Sequence, residues 1–546
     1  MKIINFLKLF FFSIHVIKKN YILFIYYFYL KKKLTNQLED SNIKFSKSKK
    51  KTIIFTLIET SHSVNFFLML FAKILKIRGY KVLALVCDQY LNACEVKSIR
   101  KNKNPCFECK FNQKKIYPFF KIETINLSDF NNKNLDIKIN KIVERFKKND
   151  YSFKKHDEFH YLNTAISDSV TRYYYGGIFD EKYKENIPQI SLDHCKTAIY
   201  MHEISKIIDL KYKPSSVVSL MSSYSSWYPL FHYFRKKNRF RELRFNTKKL
   251  YFDINKFFPS KKLFNNYLKR KTKKILNTNE NTEILKFLKH RFNSQTINTK
   301  TFKNLRFEKI KSRQIEHTLK INKEKINIFI FPNVFWDVGL SDRGHLFNSV
   351  LEWLFYTINL LKNDPRYHIY IRPHPAEFNH SFSLWGVEKI IKKKYGNSIL
   401  NLSFIEESFK YSSYELKPFI DLALVFNGTL NLEFMLLNVP VISTGITPMK
   451  GMSLNKEVKS LHQYKKILVD INYNFSKFLV KDRKRLMMFA YFWFIKRDLN
   501  WNKKNYYAHS LNRFKGFNFK SLYQCNFNDT QTNSIVKFIL EGKQVF

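Results

Sequence analysis

Glycine is scarce in this chain, 12 in 546 residues. No Gly-rich loop of the kind that cradles phosphates is present, so a nucleotide site has to be assembled from other donors. Cysteine is thin as well: Cys87, Cys94, Cys106, Cys109, Cys195 and Cys525. In a chain of this size that is no disulfide framework and points to a reducing compartment. Acidic residues are outnumbered, 44 Asp+Glu against 96 Lys+Arg, for a net charge of +52. The excess suggests a polyanionic partner, or a compositional drift in which Lys, Asn, Ile, Phe and Tyr rise together. No basic run is interleaved with a zinc finger or RNP motif, so no nucleic-acid partner is expected. Long apolar runs are missing too. Residues 3–17 and 21–30 are apolar, but neither reaches the roughly 18–20 clean residues of a spanning helix. No small-residue cleavage site follows them, and no internal repeat or heptad run stands out.

What is present suits a large globular protein. Hydrophobic residues make up 45%, and the length exceeds what one core organises, so two domains are expected. Residues 1–48 read as a membrane-associating segment. Its second apolar run is rich in Tyr and Phe, which favour the headgroup interface, and Lys31, Lys32 and Lys33 follow directly. An in-plane helical anchor on the cytoplasmic leaflet fits this pattern, with a buried helix of the first domain as the alternative. Residues 49–235 open with strand 52–58, polar exit 59–63, helix 64–78 closed by Gly79, and strand 81–87. That is a doubly wound β-loop-α-β unit. A further strand is expected at 216–221 and a helix at 228–237. Residues 236–325 are dense in Lys, Arg and Asn and read as a basic helical insertion or linker. Residues 326–475 form the second α/β domain, with strands 326–331, 367–371, 422–426 and 439–443 and a helix over 347–361. Residues 476–546 form a C-terminal helical segment.

The chemistry concentrates between Ile369 and Gly445. One strand ends in Arg372-Pro-His-Pro-Ala-Glu377 and another in Asn427-Gly-Thr-Leu-Asn-Leu-Glu433. In a parallel sheet such exits face a ligand crevice. A helix starting near Asn431 would aim N–H groups and its positive end at a phosphate. Arg372 adds a planar fork for phosphate oxygens, and Glu433 could accept from the two hydroxyls of a ribose. Thr429 could bind phosphate or cap the helix. Glu377 reads either as a ribose or sugar contact or as a first-turn carboxylate favoured by the dipole.

Taken in order, IETSHSVNFF (58–67), LVCDQYLNACE (85–95) with Cys106 and Cys109, FPNVFWDVGL (331–340), Glu352-Trp353, IRPHPAE (371–377) and NGTLNLEFMLLNVPVISTG (427–445) resemble bacterial capsule and surface polysaccharide biosynthesis proteins of the GT-B type. The resemblance covers both α/β domains but neither the N-terminal segment nor 236–325. It implies two Rossmann-like domains facing a crevice, and transfer of a sugar from a nucleotide donor to a glycan or lipid-linked glycan acceptor at the cytoplasmic membrane surface. It also implies that His374, with its flanking prolines, contacts donor phosphate. The set Arg372, His374, Glu377, Asn427, Gly428, Thr429 and Glu433 is then the donor site. Asn438 stands where GT-B proteins usually carry Gly, and Asn tolerates positive φ better than most residues.

Inverting transfer needs a base for the acceptor hydroxyl. Glu59, His62 and Asp337, all at strand exits, are the candidates, each with a loop or capping role as the alternative. No cofactor and no metal are expected, the nucleotide sugar being the substrate. Cys94, Cys106 and Cys109, with Cys87 as a possible fourth ligand, do not match a standard zinc spacing. Transfer of polyol phosphate from a CDP-activated donor is the competing chemistry on this scaffold, and nucleic-acid binding the competing function of another class.

If residues 1–33 serve only to hold the protein at a membrane surface, a chain shortened to begin at Lys49 is soluble and still binds nucleotide. Loss of nucleotide binding by a folded shortened chain would make the segment part of the active domain.

Overall fold

The computed structural model describes residues 51–542 apart from 59–63, 100–104, 112, 115–116, 247–248, 254–260, 272–274, 294–311, 338–345, 376, 378–384, 397–398, 407–410, 455–456, 471–473, 498 and 501–528. Glu59, His62 and the N-terminal segment therefore lie outside the described residues. Two compact units emerge. Among the described residues, those of the first fall within Met1–Val170, Glu185–Lys256 and Asp498–Phe546, and those of the second within Thr171–Lys184 and Phe257–Arg497. Of the stretch 236–325, read from sequence as insertion or linker, the described residues up to 253 fall in the first unit and those from 261 onward in the second.

The first unit holds a seven-stranded sheet. Its strands are β1 (Thr52–Leu57), β2 (Lys81–Val86), β3 (Glu123–Asn126), β4 (Ser216–Ser219), β5 (Phe240–Asn246), β6 (Lys249–Asp253) and β12 (Leu499–Asn500). The order is β12-β6-β5-β4-β1-β2-β3, with β6 and β12 as the antiparallel edge. Helix α1 (Val64–Ile77) ends where Gly79 takes φ +85°, and the Tyr80 N–H returns to the Leu75 carbonyl at 3.1 Å. That is the left-handed closure the sequence signals.

The second unit holds a five-stranded, all-parallel sheet: β7 (Ile326–Phe331), β8 (Tyr367–Ile371), β9 (Leu402–Phe404), β10 (Leu422–Val425) and β11 (Val441–Ser443), in the order β11-β10-β7-β8-β9. Side chains alternate between two cores, as a period of two requires. Ile328, Ile330, Ile369, Ile371, Leu422 and Leu424 join the cluster under helix α2 (Val350–Leu361). Phe329, Phe331, Tyr370, Ala423 and Val425 join the opposite cluster, with Leu486, Phe489 and Phe492 of the C-terminal region. Helix α2 starts three residues later than expected, because Ser349 caps it by accepting from the Glu352 N–H at 3.0 Å. Asn438 does adopt the left-handed conformation, φ +62°. Strand β9 has no counterpart in the sequence reading; it is three residues long and only half-buried.

The last described helix, Thr530–Glu541, returns to the first unit. There Ile535, Val536, Phe538 and Ile539 enter the core beneath β1 and β2. Among the described residues no helix is long and apolar enough to cross a membrane.

One polar knot inside the second unit is well suited to measurement. The Tyr464 hydroxyl, fully buried, accepts from the Trp353 indole N–H at 3.0 Å and lies 2.8 Å from Thr357 Oγ1. Tyr464→Phe leaves the indole donor without its acceptor, at a cost of about 1–3 kcal/mol. Thermal denaturation should show Tm lowered by several degrees; an unchanged Tm would mean the knot is not formed.

Candidate functional site

The second sheet's chain order fixes where a ligand can sit. From β7 the chain winds outward through β8 and β9, then returns to the other side of β7 for β10 and β11. The gap between the β7 and β10 exits is the topological switch point, where open α/β sheets bind ligands at their carboxyl edge. Arg372, Asn333 and the Asn427-Gly-Thr429 turn all leave strands at that edge. Across the switch point, Asn333 Oδ1 accepts from the Asn427 N–H at 3.1 Å. Gly428 has φ +101°, a conformation that an L side chain rarely adopts. Helix α3 (Leu430–Leu436) follows and is only seven residues long. Its dipole is correspondingly smaller than the sequence argument assumed.

The sequence-predicted residues divide. Thr429, at the helix N-cap, makes no side-chain capping bond; its Oγ1 lies 3.5 Å from Arg291 Nη2. Glu433 is buried and held on both oxygens. Arg291 Nε donates to Oε1 at 2.7 Å, and the Tyr414 hydroxyl donates to Oε2 at 2.7 Å. Arg372 sits at the same edge, 6% exposed, and donates to the Tyr411 carbonyl. Burial pushes its guanidinium down to about 9. Arg372 and Glu433 are thus anchored by the same segment, 411–414.

His374 is half-buried, and its carbonyl accepts from the Glu377 N–H at 2.8 Å. The Glu377 side chain is buried. Its carboxyl accepts from the Val387 N–H at 2.9 Å, at the start of helix α4 (Val387–Tyr395). A carboxylate at a helix N-terminus is what one of its two sequence readings described, but the helix is a different one. Asp337 is half-exposed and ion-paired with Arg172, whose guanidinium lies 5.7 Å from the centre of the Trp336 ring. Its role as a free base is thereby preceded by an ion pair.

Five contributors escaped the sequence reading: Asn333, Arg291, Tyr414, Asn431 and Thr444. Asn431 and Thr444 line a cavity of about 180 Å³ beside the β11 exit, together with Gly445, Thr447, Lys450 and Glu457. Asn431 is 1% exposed and Thr444 3%. Among the described residues, neither the Asn431 amide oxygen and nitrogen nor the Thr444 hydroxyl has a hydrogen-bond partner. The loop beyond is pinned where the Gly451 N–H meets Glu457 Oε1 at 2.6 Å. Asn333 was legible as the first polar residue after β7, and Asn431 as a polar residue inside the quoted motif. Arg291 gave no signal within its Lys-rich surroundings.

In the first unit, Cys87, Cys94, Cys106 and Cys109 converge on an apolar cavity of about 20 Å³ with Ile58 and Leu91. Burial pushes the Cys87 thiol up. Among the described residues, no three His, Cys, Asp or Glu side chains are arranged to hold a metal ion.

No protein-family model matches the chain, and no curated protein matches it. Solved structures similar to it include KpsC of Thermosulfurimonas dismutans, a beta-Kdo 2,4 transferase, at TM-score 0.32 and 13% identity, covering 51% of this chain and 79% of that one. A glycosyltransferase from Rickettsia africae matches at TM-score 0.25 and 12% identity, covering 91% and 100%. The wall teichoic acid polymerase TagF matches at 0.22 and 11%, covering 97% and 99%. At such TM-scores these likenesses carry no argument for this chain.

Glu377 gives the site a measurable signature. Desolvation raises its carboxyl from the ordinary 4.5 to about 8, against the lowering effect of the Val387 N–H. Between those values the folded state holds a proton that the unfolded state has released. Stability therefore falls as pH rises through that window. Glu377→Gln, which keeps the acceptor without the charge, should flatten the decline and leave the protein more stable than wild type at pH 8. Parallel stability–pH curves for the two proteins would refute the assignment.

Proposed function

We propose that this chain is a GT-B-type glycosyltransferase that moves a sugar from a nucleotide-activated donor to a surface glycan or glycolipid acceptor. The carrying observation is the carboxyl edge of the second sheet, where a cavity beside the β11 exit holds a buried amide and a buried hydroxyl that have no partner among the described residues. A buried polar group left unbonded costs about 1–3 kcal/mol, so one retained at a strand exit fits a site whose bonds are completed by a ligand. The Asn431 amide offers a donor and an acceptor side by side, as the hydroxyls of a sugar or polyol require. The sequence motifs, read in order across both α/β domains, support the same class.

On this reading the Asn427-Gly-Thr429 turn and a neighbouring guanidinium receive the donor phosphate. As the bond between the anomeric carbon and the phosphate oxygen breaks, that oxygen takes the electron pair, and the fixed cation stabilises it. The acceptor oxygen forms the new bond and its proton passes to a base. Glu59 and His62 are the proposed bases. Asp337 is the weaker choice because Arg172 already engages it.

Thermal-shift measurements with UDP-, CMP-, GDP- and CDP-activated sugars and with CDP-polyols test the proposal, since a ligand of the native state raises Tm by mass action. One nucleotide sugar is expected to stabilise wild type. Asn431→Leu should melt higher than wild type without ligand, because it removes an unsatisfied polar group, yet bind the donor roughly tenfold more weakly, the loss of about 1.4 kcal/mol. A response to CDP-polyols alone would replace sugar transfer by polyol-phosphate transfer. No response to any donor would overturn the proposal.

A further inference from the structure

Helix α5, Thr278–Phe292 in the second unit, comes from the stretch that sequence reading treated as a linker. A capping box of Asn277 and Glu280 starts it, and Ile284 and Leu288 anchor it in the core on one face of the second sheet. Its last turn carries Arg291 to the β10 exit. There Nε and Nη2 lie 2.7 and 2.5 Å from Glu433 Oε1, and Nη2 lies 3.5 Å from Thr429 Oγ1. The Phe494 ring flanks the guanidinium carbon, 5.4 Å from its centre. The two partners differ in access: the Glu433 side chain is 3% exposed, the Arg291 side chain 26%.

We propose that Arg291 is the phosphate-binding cation of this edge, for a phosphoanhydride such as the diphosphate of a nucleotide, and that Glu433 is its positioning residue and not a ribose acceptor. The inference rests on the donor-site reading above. A ligand arriving from solvent meets the exposed member of the pair, which is the cation. Both Glu433 oxygens already hold strong donors, from Arg291 and from Tyr414, and the side chain is 3% exposed, so the lone pairs that remain are closed off from a ribose arriving from solvent. The guanidinium has five N–H donors in a fixed fork. Glu433 orients that fork beside Thr429, whose hydroxyl makes no capping bond.

The experiment is calorimetric binding of inorganic pyrophosphate and of nucleoside diphosphates to the full chain at 0.15 M salt or more, to screen the basic surface; the Debye length there is about 8 Å. Wild type is expected to bind both. Arg291→Lys keeps the charge but loses the fork, and should weaken both ligands tenfold or more. Because Arg291→Ala would strand a buried carboxylate, the second variant removes both charges, Arg291→Met with Glu433→Leu. Replacing a buried pair by apolar groups is tolerated by folds, so this protein should stay folded, with Tm lowered by a few degrees because the Tyr414 hydroxyl loses its acceptor, and lose pyrophosphate binding. Glu433→Gln should weaken pyrophosphate and nucleotide by the same few-fold factor. A Glu433→Gln loss confined to ribose-bearing ligands would overturn the inference, as would wild-type pyrophosphate affinity in the double variant or no pyrophosphate binding by wild type. Pyrophosphate binding without any nucleotide or nucleotide-sugar binding would instead overturn the functional reading and leave the role of Arg291 intact.

Discussion

The parallel pairing of β7 with β8 on one side and β10 on the other is the constraint on which the second unit depends. Parallel strands need crossover helices, and the helices cover both faces of the sheet. The strands must therefore be apolar on both faces, as β7 is from Ile328 to Phe331. Polar residues are confined to the strand ends. Since all five strands run the same way, their carboxyl ends collect on one edge. Asn333, Arg372, Asn427 and Thr444 lie along one edge of the sheet for that reason, although more than a hundred residues separate the first from the last in sequence.

This explains which parts were legible in the sequence. The apolar runs 326–331 and 367–371 coincide with β7 and β8 as observed, because a doubly buried strand is nearly continuous in Ile, Phe and Val. The left-handed turn at Asn438 was expected from the resemblance, in which Gly usually stands there, and Asn's tolerance of positive φ lets it form. Strand β9 was not, because a short half-buried strand lacks the apolar signal that marks the others. Nor was the path of residues 171–184. They follow a helix of the first unit in sequence and pack in the second, where the Tyr175 ring meets the Trp336 ring at 4.8 Å. Such membership is decided by tertiary packing, which leaves no periodicity to read.

The site residues divide along the same line. Residues placed by a strand end could be named from sequence, since the strand itself was visible. Arg291 is placed by a helix that docks from elsewhere, and its own neighbours Lys289 and His290 make it look like one more solvated charge. Glu377 shows the converse. Its residue type and position suggested either a sugar contact or a first-turn carboxylate, and its carboxyl meets the Val387 N–H at the start of another helix. A polar residue after a strand is thus a claim about an edge of the sheet; only the fold says which way the side chain turns.

The edge also bears on the meaning of the charge. A net +52 invites an electrostatic account of ligand binding, yet surface charges farther apart than about 8–10 Å are largely screened at ordinary salt. Arg372 and Arg291 differ from the bulk of the basic residues in being held in place, Arg372 by the Tyr411 carbonyl and Arg291 by Glu433. A cation that is desolvated and fixed acts on a nearby phosphate in a lower dielectric and needs no reorganisation to do so. The donor site proposed above would rely on such placed groups, which would remain if much of the Lys-rich surface were neutralised. The large net charge then speaks to association with anionic surfaces, or to drift in composition, and the proposed transfer does not depend on it.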